Sequence, residues 1–145
     1  MKNFEFKSQI CTDINQSRKL LELGLKNEIA DMVWIKELAW DEVAHCTYDA
    51  ETYMLRPIDY LEGESHRGHI PAWSLHRLME IIQDDEKEIS YILDREDLVI
   101  EWFDDGGYKN KFFRHIENTY DRITSCIEWM IKEGVFSPEY LEEQV

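Results

Sequence analysis

The stretch His69-Ile70-Pro71-Ala72-Trp73-Ser74-Leu75-His76-Arg77-Leu78-Met79-Glu80-Ile81-Ile82 constrains this chain more than any other. Pro71 fixes φ and lacks a backbone donor, so whatever element arrives from the N-terminal side is interrupted there. Three residues on, Ser74 supplies a side-chain oxygen that suits a helix N-cap. Leu75, Leu78, Met79 and Ile82 then recur at i, i+3, i+4 and i+7, one face of a short amphipathic helix. Trp73 stands just before that face, where its ring would pin the helix entry against a sheet. A helix of this kind is a core element, and the chain is expected to pack around it.

The flanking sequence reads as alternating helices and strands. Thr12 or Asp13 is placed to cap a first helix carrying Ile14, Leu20, Leu21 and Leu23, with Gly24 where a left-handed C-terminal cap would fall. From Glu28 to Leu61 the period is ambiguous between the two. Met32, Trp34, Leu38 and Trp40 share one side under strand alternation, whereas Ile29, Met32, Val33, Lys36 and Trp40 make a helical stripe. The β-branched and aromatic content favours strands. Residues 62–69 read as a surface loop. Glu88–Leu93 and Leu98–Phe103 read as two further strands, and Asp104-Asp105-Gly106-Gly107 as a hairpin turn into a third near Lys111–Glu117. Ile116, Tyr120, Ile123, Ile127 and Met130 mark a closing helix over about 119–133, ended by Gly134 and followed by a polar tail. The order predicts a single α+β domain over residues 1–145, with three main helices packed on a mostly antiparallel sheet.

Charge narrows the partners. The chain of 145 residues carries 31 acidic and 16 basic side chains, a formal net charge of −15. Such a balance repels nucleic-acid phosphates and anionic membranes and favours basic partners. The composition is not that of a disordered chain: aromatic residues make up 12% of it, against the aromatic-poor signature of disorder. No apolar run reaches membrane-spanning length, and the first residues lack the apolar stretch of a signal peptide. Three widely spaced cysteines, Cys11, Cys46 and Cys126, suggest no disulfide framework, and a reducing cytoplasm is the expected setting.

Several landmarks together carry a resemblance. They are Cys11-Thr12 with Gln16-Ser17 and Leu20-Leu21-Glu22-Leu23-Gly24-Leu25, then Ala30-Asp31-Met32, then Ile70-Pro71-Ala72-Trp73-Ser74-Leu75. With them the sequence resembles a group of small, uncharacterised acidic proteins of gut Bacteroidales bacteria, their phages and mobile elements. The segment Cys126-Ile127-Glu128-Trp129-Met130-Ile131-Lys132-Glu133 is similar to that group's closing helix. Residues 33–65 are largely unmatched, and a Pro near the start of the last helix is missing. The resemblance implies a fold and a phage or mobile-element context, and no activity.

Chemical signals are sparse. His66 and His69 have a spacing open to metal binding, with Glu64 as a nearby carboxylate, but a loop H-x-x-H lacks the helical facing of a zincin motif. Solvated loop histidines are the plainer reading. Cys11 lies beside the first helix's N-terminus, where the dipole would lower a thiol pKa. Cys126 shares the apolar stripe of the last helix and reads as buried. The neighbours His45 and Cys46 point to opposite faces if they lie on a strand. No phosphate loop, cofactor motif or Ser–His–Asp pattern is present, so no catalytic residue and no cofactor is expected.

The acidic residues are more informative. Between Asp84 and Asp105 stand ten carboxylates and two basic side chains. The plainer reading is a solvated surface that keeps edge strands from pairing. The sharper one is a docking face for a basic protein, with DNA mimicry one form of it. Asp84, Asp85, Glu86, Asp97, Glu101, Trp102, Asp104 and Asp105 would form that face, with Phe103 and Tyr91 as further aromatic anchors. The expected function is thus a non-catalytic protein-binding or accessory factor, and the alternative is a small hydrolase or metal-dependent enzyme using the His66/His69 loop. The sequence leaves the oligomeric state open.

Overall fold

A computed structural model describes residues 8–61 and 68–143. Its three α-helices are α1 (Ile14–Glu22), α2 (Leu75–Ile82) and α3 (Thr119–Lys132). Six strands, β1 (Met32–Asp41), β2 (Cys46–Pro57), β3 (Ile70–Ala72), β4 (Ser90–Leu93), β5 (Leu98–Asp104) and β6 (Gly107–Phe113), complete the α+β fold. The strands do not join in one layer. They form two three-stranded antiparallel sheets, ordered β2-β1-β3 and β4-β5-β6.

Each helix starts where a side chain satisfies its orphan N–H groups. Asp13 accepts from the Gln16 N–H, and Gln16 Oε1 accepts from the Asp13 N–H, a reciprocal capping box. Ser74 Oγ accepts from the Arg77 N–H at the head of α2. Asn118 Oδ1 accepts from the N–H groups of both Tyr120 and Asp121 at the head of α3. Gly24 (φ 103°) and Gly134 (φ 71°) follow α1 and α3 in the left-handed conformation that ends a helix at little cost.

The main core lies between the helices and the inner face of the second sheet. Leu20, Leu78, Ile82, Ile123, Ile127 and Met130 meet Leu98, Ile100 and Phe113 there. Burying each aliphatic side chain stabilises the fold by about 1.5–3 kcal/mol. A smaller cluster beneath the first sheet contains Val33 and Ile35, with Met54 and Ile58 against it. The strand reading of the 28–61 region holds over Met32–Asp41 and Cys46–Pro57, while Asn27–Ile29 and Ile58–Leu61 at its ends are 3-10 turns, and the face that closes on the body carries Val33 and Ile35. Leu38 and Trp40 stand in water.

Pro71 sits in β3, the short edge strand of its sheet, where a missing donor disrupts least. The last strand, expected near Lys111–Glu117, ends at Phe113, and Glu88 (φ 57°) belongs to the turn before β4. Ile116 precedes α3. Residues after Gly134 do not trail off as a polar tail. Phe136 is buried, the Glu142 N–H donates to the Gly24 carbonyl at 2.7 Å, and the Lys26 N–H donates to the Tyr140 carbonyl at 3.0 Å.

A polar knot joins the two halves of the structure around Trp73, whose side chain is fully buried at 0% exposure. The Thr12 N–H donates to the Trp73 carbonyl at 2.9 Å, and the Trp73 N–H returns to Thr12 Oγ1 at 3.0 Å. Asp31 accepts from the Ser74 N–H at 2.8 Å and from the Ser74 hydroxyl. Trp34 Nε1 donates to the Thr12 carbonyl at 3.0 Å.

Core and knot make separate predictions. Ile127→Ala is expected to lower the unfolding free energy by about 2–5 kcal/mol through the cavity it leaves. Asp31→Ala is expected to cost about 1–3 kcal/mol, because it strands the Ser74 donors. Ile92→Ala, outside both core clusters, should stay within about 0.5 kcal/mol. Urea unfolding of the three variants checks the order.

Candidate functional site: the outer face of the second sheet

Alternation along β4, β5 and β6 divides their side chains between two faces. Tyr91, Leu93, Leu98, Ile100, Trp102 and Phe113 turn inward to the helices. The outer face carries Ile92 on β4, Val99, Glu101 and Phe103 on β5, and Tyr108, Asn110 and Phe112 on β6. Pairing sets Ile92 beside Val99 and Val99 beside Phe112, and places Phe103 beside Tyr108. Ile92, Phe103, Tyr108 and Phe112 are all exposed, Phe103 at 58%.

This face is ordered by its own contacts. The rings of Phe103 and Tyr108 meet edge-on, with centroids 5.7 Å apart. The Tyr108 hydroxyl donates to Glu101 Oε1 at 2.6 Å, which holds the carboxylate at the middle of the apolar surface. That hydrogen bond, the largest cause, raises the Tyr108 pKa above its ordinary value. At one margin the Arg114 guanidinium lies 4.2 Å from the Phe112 ring centroid and pairs with Asp97 at 3.2 Å. Lys109 and Lys111 alternate to the other side of β6, and Lys111 Nζ lies 5.8 Å from the Trp129 ring there.

The carboxylates gather at the two ends of the sheet. Because Ser90 pairs with Glu101, the 84–88 turn lies at the same end as the Asp104–Gly107 turn. The 94–97 turn occupies the other end. Several of these acids have local work that their charge alone does not disclose. Asp84 accepts from the N–H groups of Glu86 and Lys87, Asp94 from those of Glu96 and Asp97, and Asp104 from that of Gly106. The two main-chain bonds to Asp94, its largest causes, hold that carboxyl below the usual range.

The anticipated face is thus only partly assembled on one surface. Glu101 and Phe103 lie on it, and Asp97, Asp104 and Asp105 lie at its ends. Trp102 does not join Phe103 as an exposed anchor. It turns to the inner side, its ring 5.5 Å from that of Trp129, and Tyr91 shares that side. Asp84, Asp85 and Glu86 instead line a cleft of about 430 Å³ with Glu80, Glu139 and Tyr140. The residues missed from sequence are Tyr108 and Phe112. Their signal was the alternation of Tyr108, Asn110 and Phe112 with Lys109, Lys111 and Phe113.

The other candidate chemistry falls out differently. His66 lies outside the described residues, as does most of its loop. His69 Nδ1 is buried with no hydrogen-bond partner among the described residues, in a small gap beside Asn27, Val33, Ile58 and Pro71. Among the described residues, no group of three or more His, Cys, Asp or Glu is placed to hold a metal ion. His45 stands in the β1–β2 turn at φ 50°, with Cys46 exposed beside it. Cys11 reverses the helix-dipole expectation. Burial, then Asp31 and Asp13, push its thiol up to about 11. Burial pushes Cys126 up to about 12.

A second cleft, of about 850 Å³, opens at the 94–97 end between Arg95, Asp97, Arg114, His115, Glu117 and Arg122. Arg122 is 2% exposed and donates to the main-chain carbonyls of Ile116, Asp94 and Arg95, so it braces the turn. No family model, curated protein sequence or solved structure matches the chain. Among the described residues no helix is long and apolar enough to cross a membrane.

The thiols give a direct test. At pH 8 the native protein is expected to react with iodoacetamide at Cys46, and at Cys11 and Cys126 only after unfolding, read by peptide mass spectrometry. Their raised pKa values also give a sign. The folded state keeps both protons as pH rises past 9.0, the ordinary thiol value, while the unfolded chain releases them. Stability should therefore fall from about pH 9 to about pH 12, and Cys126→Ser should lessen that slope.

Proposed function

We propose that this chain is a non-catalytic protein-binding or accessory factor that offers the outer face of its second sheet to a basic protein surface. The carrying observation is the row of exposed aromatic rings around a fixed carboxylate. Phe103, Tyr108 and Phe112 stand in water beside Ile92, with Glu101 held among them by Tyr108. An apolar centre edged by charge is the usual anatomy of a protein interface, and aromatic side chains are its usual anchors.

Charge selects the partner. Carboxylates at both ends of the sheet favour Lys- and Arg-rich surfaces, and the net charge of −15 opposes nucleic acid and anionic membranes. A nucleic-acid-binding protein is one partner class with that chemistry, and occupying its basic surface would be DNA mimicry. The cytoplasm is the setting consistent with three unpaired cysteines. A phage or mobile-element context rests on the resemblance described above.

Affinity capture from cells that make the protein, with elution in a salt gradient, tests the reading. The expected partner has a basic surface and leaves the column as salt rises. Phe103→Ser with Phe112→Ser should weaken its binding by about thirtyfold or more, the scale of two anchors lost. A partner with an acidic surface, or binding indifferent to salt and to these substitutions, contradicts the proposal.

A further inference from the structure

Among the described residues, the exposed large apolar side chains are Ile10, Leu38, Trp40, Val43, Tyr48, Ile92, Phe103, Tyr108 and Phe112. Four of them belong to the outer face just described. Four others stand on the far part of the β1–β2 hairpin: Leu38 and Trp40 on one face, Tyr48, opposite Ala39, on the other, and Val43 in the tip. Trp40 is 57% and Val43 92% exposed.

The hairpin is long because β1 outruns its second neighbour. β3 pairs with Met32, Val33 and Trp34, whereas β2 follows β1 as far as Asp41. Between Lys36 and Leu38 the register shifts, and residues 50–52 of β2 stand opposite Glu37 alone. Such an irregularity bends and twists a ribbon, so the distal part departs from the line of the sheet. Beyond it Leu38 pairs with Asp49, Ala39 with Tyr48, Trp40 with Thr47 and Asp41 with Cys46. Asp41 closes the tip by accepting from the N–H groups of Val43 and Ala44. The Trp40 and His45 rings meet at 6.4 Å.

A two-stranded ribbon wetted on both sides is at the margin of stability in water. Large apolar side chains on both of its faces and at its tip signal surfaces that something covers, as insertion into a groove would. We propose that this arm is a second docking element, which inserts into a groove of a partner protein with an apolar floor and a Lys- and Arg-bearing rim. Charge complementarity chooses that occupant. From Lys36 to Glu51 the arm carries Glu37, Asp41, Glu42, Asp49 and Glu51 against one lysine. A second copy of the chain would bring the same negative charge to the contact, and an anionic membrane would repel it.

The test places a benzoylphenylalanine photo-crosslinker at Val43 of the full chain, irradiated in cells that make the protein. A discrete adduct with one other protein is expected, and that protein, purified, should bind the unmodified chain. Trp40→Ser should weaken this binding at least tenfold, and Glu42→Lys should weaken it and flatten its dependence on salt. Arg18→Ala, on the exposed side of α1, should leave it unchanged. The melting temperature of Trp40→Ser should move by less than about 2 °C, since surface changes of this kind scarcely alter stability.

Four results overturn the proposal. They are adducts with another copy of the chain alone, no adduct above that seen with the crosslinker at Arg18, binding indifferent to Trp40→Ser, or a large loss of melting temperature in that variant. A partner lost with Phe103→Ser but kept by Trp40→Ser belongs to the second sheet, and overturns the arm while leaving that face standing.

Discussion

The arrangement depends on the contact between two short segments, Cys11–Thr12 and Trp73–Ser74. Thr12 and Trp73 exchange hydrogen bonds, Cys11 and Ser74 form an isolated bridge, and Asp31 holds Ser74 from the first strand. The heads of α1, β1 and α2 are therefore tied at one place. Thr12 Oγ1 also meets Ser17 Oγ at 2.8 Å, so the knot reaches into α1. Buried polar groups of this sort stabilise modestly when paired and cost several times more when one partner is removed. Their effect is positional. They fix where Trp73 enters the core and how the first sheet meets the body.

With the inner surfaces committed to that packing, the outer surfaces are left to other uses. The second sheet closes the main core with Leu98, Ile100 and Phe113 and turns Phe103, Tyr108 and Phe112 to water. The first sheet closes a smaller core with Val33 and Ile35, then continues past it as an arm. Among the described residues, the exposed side chains of these two surfaces belong to neither core cluster. The acids near them divide between turn formation, as at Asp84, Asp94 and Asp104, and the field that surrounds the apolar centres.

Much of the α+β fold was legible in local chemistry. Asp13 with Gln16, Ser74 after Pro71, and glycines at positions 24 and 134 mark helix ends whatever the tertiary surroundings. Asp104-Asp105-Gly106-Gly107 marks a hairpin in the same way. What escaped reading was set at longer range. Trp34 and Trp40 drew attention to one side of β1, yet the neighbours of that strand put Val33 and Ile35 against the body. A strand shows two faces, and only its partners decide which is buried. Nothing local divides six strands into two sheets, and nothing local turns Trp102 inward to meet Trp129 while Phe103 turns out. The proposed face was accordingly legible in part, in its charge and in Phe103, but not in Tyr108 and Phe112.

The central claim, that the outer side of the second sheet recognises basic partners, is tested most directly by nuclear magnetic resonance of the isotope-labelled chain. A short peptide alternating lysine with leucine is titrated in at low salt, and backbone amide shifts are followed. The account predicts saturable changes centred on Val99, Glu101, Phe103, Tyr108, Asn110 and Phe112, with Cys11, His69 and Cys126 undisturbed. Shifts spread evenly over all the acidic residues, or centred on a region without those rings, would contradict it.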